Sequence, residues 1–194
     1  MMSKPFFSVI VPAHNAADRI RKGLNSIKRQ TFTDYELIII CDDCQDDTAK
    51  IALGYADCVR VVDLHSCGKS RNAGLDEARG QWILFMDDDD WWMHDHVLAD
   101  LDKRLGSEDV LRFGFVWKGE GYKKPGPWIA VWNKCWRRSF IGATRFSSVK
   151  WWSDVDFNRL MMDKNPRIVD WDEPLYYYNF MREGSISWQN IHGT

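Results

Sequence analysis

The chain has 194 residues, of which 45% are hydrophobic and 28% charged, with 26 Lys+Arg against 28 Asp+Glu. This composition supports a sizeable core and excludes a disordered chain. A net charge of −2 supplies no overall field toward nucleic acid or an anionic membrane.

Phe7 to Val11 is a β-branched apolar run closed by Pro12 and predicts a buried parallel strand. Ala16 to Arg29 places apolar residues at 16, 17, 20, 24 and 27, the spacing of a helix. Glu36 to Cys41 is a second buried strand, and Asp46 or Asp47 caps a helix through Gly54. Cys58 to Leu64 is a third strand. Gly68 and Ser70 open a helix over Asn72 to Arg79 that Gly80 stops, and Gln81 to Met86 is a fourth strand. The second half predicts a helix over His96 to Leu105, a strand over Val110 to Trp117 and a loop or hairpin tip over Lys118 to Pro127. Trp128 to Trp136 reads as a strand turning into a short helix. Asp154 to Asp163 reads as a helix capped by Ser153, and Arg167 to Asp170 and Leu175 to Phe180 as short strands.

Alternation of strand and helix predicts an α/β fold with a mostly parallel central sheet flanked by helices. In such sheets ligands sit beyond the carboxyl ends of the strands. Those ends are Pro12–Asn15, Asp42–Asp47, Asp63–Gly68 and Asp87–Asp90, all polar and three of them acidic. Four adjacent carboxylates, Asp87, Asp88, Asp89 and Asp90, repel one another, and a hard divalent cation such as Mg²⁺ or Mn²⁺ together with substrate phosphate relieves that repulsion. The plainer alternative is a solvated acidic turn. Asp42 and Asp43 can accept hydrogen bonds from a base N–H or a ribose hydroxyl. Gly68 to Gly74 sets Lys69, Arg71 and several backbone N–H groups at a helix start, which suits a diphosphate.

Five segments occur in order: SVIVPAHN (Ser8–Asn15), CDDCQDDTAKI (Cys41–Ile51), GKSRNAGLDEARGQWILFMDDDDWW (Gly68–Trp92), VWNKCWRRSFI (Val131–Ile141) and SDVDFNRLM (Ser153–Met161). Together they resemble the family 2 glycosyltransferases of GT-A fold, over residues 7 to about 188. The resemblance implies an inverting transfer of a sugar from a nucleoside diphosphate, most often UDP. It implies that Pro12, Ala13, His14 and Asn15 line the nucleotide site, that Asp42 or Asp43 contacts the base, and that Arg71 and Asn72 lie near the nucleotide. The family's Asp-x-Asp motif maps onto Asp87, Asp88 and Asp89, with Asp89 the direct metal ligand and Asp87 nearer the ribose. The family's catalytic base is the aspartate of a Glu-Asp pair, here Ser153–Asp154, which implies Asp154, with Asp156 two residues on as the alternative. The late segment YYYNFMREGSIS (Tyr176–Ser187) resembles the family's Arg-x-x-Gly-Ser element and implies Arg182 and Ser185 over the diphosphate; a surface hairpin is the alternative. Three features depart from the family: Ser153 replaces the glutamate, Cys44 takes a glycine position in a loop one residue short, and the segment before Arg71 is compressed.

The chemistry coheres on its own terms. One carboxylate suffices to take a proton from an attacking hydroxyl, and cations stabilise the departing diphosphate. The expected organisation is a single domain, with residues to about 95 binding the nucleotide-sugar and residues from about 96 binding the acceptor. The acceptor is left open among a glycan, a lipid-linked sugar, a protein and a modified nucleobase. Two other classes compete. A sugar-phosphate nucleotidyltransferase would carry a Gly-rich loop where this chain has Pro12–Asn15. A non-catalytic nucleotide- or sugar-binding relative would be expected to lack Asp89 or Asp154.

No apolar run approaches the roughly 20 residues of a spanning helix, no signal peptide is evident, and the five cysteines are an odd number. These features predict a reduced, cytoplasmic setting, free or peripheral at a membrane. Cys41 and Cys44 form a Cys-x-x-Cys without the second pair that zinc needs. His94, His96 and His192 are candidate extra metal ligands, although a lone histidine is more often structural. Of the eleven tryptophans, Trp91, Trp92, Trp151 and Trp152 flank the metal and base motifs. Most are expected to fill the core, and one or two to stack on sugar.

Overall fold

The computed structural model describes residues 4–148, 152–180 and 183. Elements run β1 (Phe7–Ala13), α1 (Ile20–Lys28), β2 (Tyr35–Asp42), α2 (Thr48–Ala52), β3 (Cys58–Val62), α3 (Cys67–Glu77), β4 (Trp82–Phe85) and β5 (Trp91–Trp92). They continue with α4 (Val97–Arg104), β6 (Val110–Trp117), β7 (Gly121–Lys123), β8 (Lys134–Arg137), α5 (Arg138–Ile141), α6 (Ser153–Met162) and β9 (Ile168–Tyr178). One sheet joins the strands in the order β3-β2-β1-β4-β8-β6-β9-β5, with β7 paired to β6. The first four strands are parallel, as their apolar runs predict. From β8 onward the sheet is mixed: β8 is antiparallel to β4 and β6, while β9 is parallel to β6.

Both faces of the sheet are covered. Val9, Val11, Leu37 and Ile39 face a core shared with Ile20, Leu24 and Leu101 from α1 and α4. Ile10, Ile38, Ile40 and Phe85 face a second core shared with Leu75 of α3 and Phe157 and Met161 of α6. Full burial of such a side chain is worth about 1.5–3 kcal/mol, so a strand apolar on both faces is stable only inside a two-sided sheet.

Pro12 does not end β1. The strand runs to Ala13 and pairs with β2 throughout. The Ile10 carbonyl accepts from Met86 N on the β4 side, and Pro12, two residues on, points the same way. The β4 ladder has stopped at Ile10, so the missing proline N–H costs no bond. α1 starts at Ile20 rather than at Ala16: residues 17–19 form a turn, and the Ala16 and Ala17 N–H groups donate to Thr48 and Asp46.

In the second half, the carbonyls of residues 128–131 are taken by side chains: Lys134 binds Trp128 and Ala130, Asn158 binds Ile129, and Trp136 binds Val131. The Asn133 carbonyl is the first to meet β6, accepting from Phe113 N (3.1 Å). The expected strand is thereby confined to Lys134–Arg137. The two short strands expected near the C-terminus are one, β9, and a register shift opposite Gly114 accommodates Pro174. Ser153 lies inside α6 and does not cap it; the cap position is Trp152.

At the edge away from the tetrad, the buried Glu36 accepts from Ser8 Oγ (2.6 Å), Arg79 N (2.6 Å) and the Arg79 guanidinium (2.9 and 2.7 Å). Burial alone would raise this carboxyl, but the bonds from Ser8 and Arg79 hold it below the ordinary glutamate value. A depressed carboxyl contributes stability at pH above its unfolded value of about 4.3 and loses it as the pH falls through the lower folded value. Thermal melts from neutral to acid pH should show Tm falling in that window. Glu36→Gln should flatten the fall while lowering Tm at neutral pH, and an unchanged acid slope would contradict this role.

Candidate active site

The carboxyl ends of β1, β2, β3 and β4 converge on one edge, and the four aspartates after β4 divide by environment. Asp90 is fully buried and accepts from Tyr176 OH (2.6 Å) and Asn179 N (2.8 Å). Burial, with Asp87 and Asp89 adding, pushes its carboxyl well above the ordinary value. Asp88 is gripped by Arg19 through Nε and Nη2, both at 3.0 Å, and by His14 N at 3.2 Å. Burial lifts it to about 6 against the pull of Arg19. Asp87 keeps 29% of its side chain exposed, and Asp89 is half-buried. The loop is clamped from both sides. Tyr176 OH also accepts from Asp87 N (3.1 Å), and β5, directly after the tetrad, pairs with β9. At Gly23 of α1, a Cβ would stand 2.6 Å from the Asp90 carbonyl, so only glycine allows this packing.

Arg71 connects the two halves of the site. It is 4% exposed. Its Nη2 donates to Asp87 Oδ1 (2.8 Å) and its Nη1 to Asp154 Oδ1 (2.5 Å). Its Nε is buried without a partner among the described residues. Asp154, on the first turn of α6, therefore faces the tetrad and not the interior. Burial raises its carboxyl; Arg71 opposes that rise, and Asp87 reinforces it. Residues two apart on a helix point roughly 200° apart. Asp156 accordingly turns away, accepting from Ser147 Oγ (2.8 Å) and pairing with Arg159 (3.6 Å).

Packing brings α6 to this edge. Asn72 exchanges two hydrogen bonds with the Phe146 backbone (2.9 and 2.8 Å). Phe146 stacks on Phe157 at 4.0 Å. At Gly68 a Cβ would lie 2.4 Å from the Ser147 carbonyl, so that glycine serves close approach of the 146–147 loop. The Asn72 amide, expected near nucleotide, is thus spent on both sides in holding that loop.

Asp42 and Asp43, equivalent in sequence, differ in space. Asp42 ends β2, is 5% exposed, and accepts from Leu64 N (2.6 Å), His65 N (3.1 Å), Ser66 N (3.1 Å) and Ser70 Oγ (2.8 Å). Four donors fill a carboxylate, so Asp42 shapes the loop after β3 and has no acceptor capacity left for a base. Burial works against ionisation here, but these bonds prevail and depress its carboxyl. Asp43 turns out of the sheet at φ +48° and contacts His65 Nδ1 (3.3 Å), whose Nε2 lies 2.7 Å from Asp63. These three are the one set among the described residues whose potential metal-ligand atoms all lie within 4.8 Å of one another.

Pro12 and Ala13 form the buried floor at the end of β1. His14 Nδ1 lies 2.7 Å from the Asp42 carbonyl, and Asn15 Oδ1 accepts from Gln45 N (2.7 Å). Lys69 is exposed at the start of α3, whose cap Ser66 accepts from the Lys69 N–H. His94 and His96 lie together at the turn after α1, bonded to Gln30 and Thr31, and do not join the tetrad. Trp92 is core, and Trp91 stacks on Tyr177 at 4.1 Å under the Lys22 ammonium. Trp152 is 64% exposed. Arg182, Ser185, His192 and Trp151 lie outside the described residues.

Four contributors carry no local sequence signal: Arg19, Tyr176, Lys134 and Asn158. Lys134 is 2% exposed, and burial, with Arg112 adding, lowers its ammonium to about 7.

A family profile described as glycosyl transferase family 2 matches residues 8–156, which spans every element named above from β1 to the start of α6. The chain belongs to glycosyl transferase family 2.

Among family 2 relatives, the glycosyltransferase GlyA of Streptococcus pneumoniae is 24% identical over 217 aligned residues, covering 93% of this chain and 31% of GlyA. This family 2 chain spans about a third of the length of the first curated relatives it matches. S. aureus TarS (residues 1–349) in complex with UDP-GlcNAc superposes with a TM-score of 0.79 at 25% identity, over 94% of this chain and 60% of that one. The mannosyltransferase PcManGT of Pyrobaculum calidifontis, in complex with GDP-Man and Mn²⁺, superposes with a TM-score of 0.76 at 15% identity, over 96% and 60%. The fold is the GT-A fold.

Proposed function

We propose that this family 2 chain transfers a sugar, with inversion, from a UDP-sugar to an acceptor hydroxyl, with Asp154 as general base and a divalent cation at Asp89 and Asp87. The observation that carries the proposal is Arg71. One buried guanidinium touches both Asp87 and Asp154, so a carboxylate able to take a proton stands a single guanidinium away from the aspartate motif. Hydrolysis of activated sugars uses an oxocarbenium-like centre flanked by carboxylates, and the same requirement applies here.

The donor set fits a hard cation. Asp88 and Asp90 are consumed inside the fold, while Asp87 and Asp89 keep partial exposure. Two carboxylates plus substrate phosphate oxygens are the usual Mg²⁺ or Mn²⁺ set. When bound, the cation would neutralise charge gained by the leaving diphosphate. The chain's own residues do the rest. Pro12, Ala13, His14 and Asn15 floor the nucleotide site. Asp43, with Asp42 spent, is the aspartate left to meet the base. Lys69 lies exposed at the start of α3 to meet phosphate. Asp154 accepts the proton of the attacking hydroxyl as the new C1–O bond forms, and the bond from C1 to the phosphate oxygen breaks on the opposite face. Residues 1–95 then serve the donor and residues 96–194 the acceptor. UDP-GlcNAc bound to TarS supports the uridine donor, and Mn²⁺ bound to PcManGT supports the metal.

A thermal-shift series with UDP, UDP-glucose, UDP-GlcNAc, GDP and CMP, with and without Mn²⁺, tests the donor. Hydrolysis of the same UDP-sugars without acceptor tests turnover. UDP species should raise Tm most, Mn²⁺ should deepen the shift, and a chelator should abolish hydrolysis. A preference for GDP or CMP would overturn the uridine assignment. Metal indifference would overturn the role of Asp89, and binding without turnover would leave a non-catalytic relative.

A further inference from the structure

The side chains that hold the carbonyls of residues 128–130 form a network that ends on the candidate base. Lys134, the first residue of β8 and 2% exposed, donates from Nζ to the Trp128 carbonyl (2.8 Å), the Ala130 carbonyl and Asn133 Oδ1 (3.0 Å). Asn158 Nδ2 donates to the Ile129 carbonyl between them, and to the Asp154 carbonyl one turn earlier on α6 (2.8 Å). The first turn of α6, which carries Asp154, is thereby tied to the segment that Lys134 gathers.

This network is costly for the fold. An ammonium has three protons, and here all three go to neutral oxygens, so its hydrogen bonds are met by contact and its charge is not. Asn158 Oδ1 and Asn133 Nδ2 are buried without a partner among the described residues. The charges that bear on Lys134 are Arg112 on β6, Asp154 on α6 and Asp170 on β9. Arg112 and Asp170 close on one another through two bonds (2.6 and 2.7 Å), which leaves Asp154 as the carboxylate that answers the ammonium. Those that bear on Asp154 are Arg71 on α3, Asp87 after β4 and Lys134 on β8. Both cations favour its ionised form, Arg71 by contact and Lys134 through its field, and Asp87 opposes them. Two cations thus balance two carboxylates around the candidate base.

We infer that Lys134 is a positioning residue for Asp154: it fixes the first turn of α6 through the 128–130 carbonyls and Asn158, and its charge keeps the carboxylate in the proton-accepting form. The inference deepens the proposed function and rests on it for what the carboxylate does; the coupling of the two side chains belongs to the fold and can be measured without turnover. A lysine that only anchored the 128–130 segment would add to stability and leave the carboxylate's titration where it is.

Two NMR titrations of the full chain test this. Label at aspartate ¹³Cγ follows the Asp154 carboxyl, assigned by its loss in Asp154→Asn. In Lys134→Met its midpoint should move to higher pH, because the ionised form has lost a cation. Label at lysine ¹³Cε follows the Lys134 ammonium, assigned through the backbone, which burial brings down to about 7. In Asp154→Asn its midpoint should move to lower pH, because the charged form has lost a carboxylate. That second titration leaves Lys134 in place, so it decides the matter where Lys134→Met does not fold. Coupling is reciprocal, and an unmoved midpoint in either titration overturns the inference. In UDP-sugar hydrolysis, Lys134→Met should lower kcat by on the order of ten- to a hundredfold, as misplacement of a reacting group does. The acid limb of kcat should move to higher pH and the donor KM should hold. A loss confined to KM, or an acid limb that stays in place, would overturn the positioning role. A chain that hydrolyses no UDP-sugar would sink the functional reading, while the two titrations still read the coupling of Lys134 to Asp154.

Discussion

Asp154→Asn should lower transfer and donor hydrolysis by on the order of 10²- to 10⁴-fold, the usual worth of a positioned general base. UDP affinity and thermal stability should change little. The reasoning is geometric. The amide keeps the shape of the carboxylate but cannot take a proton from the attacking hydroxyl. Arg71 retains Asp87 at 2.8 Å, so the guanidinium is not left unpaired. Asp156→Asn is the matched control. Its carboxylate points to Ser147 and Arg159, and its loss should leave turnover near wild type. Single-turnover rates for both variants check the pair. A larger loss from Asp156→Asn than from Asp154→Asn would reassign the base.

Arg71→Met should destabilise the fold by about 3 kcal/mol, toward the lower end of the range for breaking a buried ion pair, because both carboxylates retain some exposure. Asp154 and Asp87 keep 23% and 29% of their side chains exposed. Methionine fills the volume but leaves two neighbouring like charges in a poorly solvated cleft. The double variant Arg71→Met/Asp154→Asn should recover part of the loss, since one of the two charges is gone. Groups in contact couple in this way by roughly 0.5–3 kcal/mol. Urea denaturation of the wild type, both single variants and the double variant closes the cycle. Strictly additive losses would show that Arg71 and Asp154 do not communicate.

How much of this was legible in the chain depends on where each signal is stored. β1, β2 and β4 announce themselves because strands buried on both faces must be largely apolar, as Leu37–Cys41 is, while β3, at the edge of the sheet, keeps Arg60 and Val61 exposed. The tetrad announces itself because four carboxylates directly after such a strand have few inexpensive explanations. The family resemblance carried Asp154, which no local pattern separates from Asp156 until the helix phase is known. Asp42 and Asp43 are likewise indistinguishable in sequence. One residue's position at the end of β2 decides which is consumed by the loop after β3 and which turns outward.

The rest is long-range. Arg19 precedes α1 and reads as a solvated charge, yet it neutralises Asp88 across 69 residues. Tyr176 is one of three consecutive tyrosines, and only the pairing of β9 with β5 puts its hydroxyl between Asp87 and Asp90. Trp128 to Trp136 reads as a strand turning into a short helix because periodicity does not reveal that Lys134 and Asn158 will claim the carbonyls of residues 128–130. The mixed second half of the sheet was illegible for the same reason: partner choice among β8, β6 and β9 is settled by packing, not by composition.

Anomalous diffraction at the manganese edge, from crystals grown with UDP and Mn²⁺, is the most direct measurement. The account predicts a peak at Asp89 and the diphosphate oxygens, with the Asp154 carboxylate across the cleft from it. A peak held instead by Asp43, Asp63 and His65, or a diphosphate bound away from the tetrad, would contradict it.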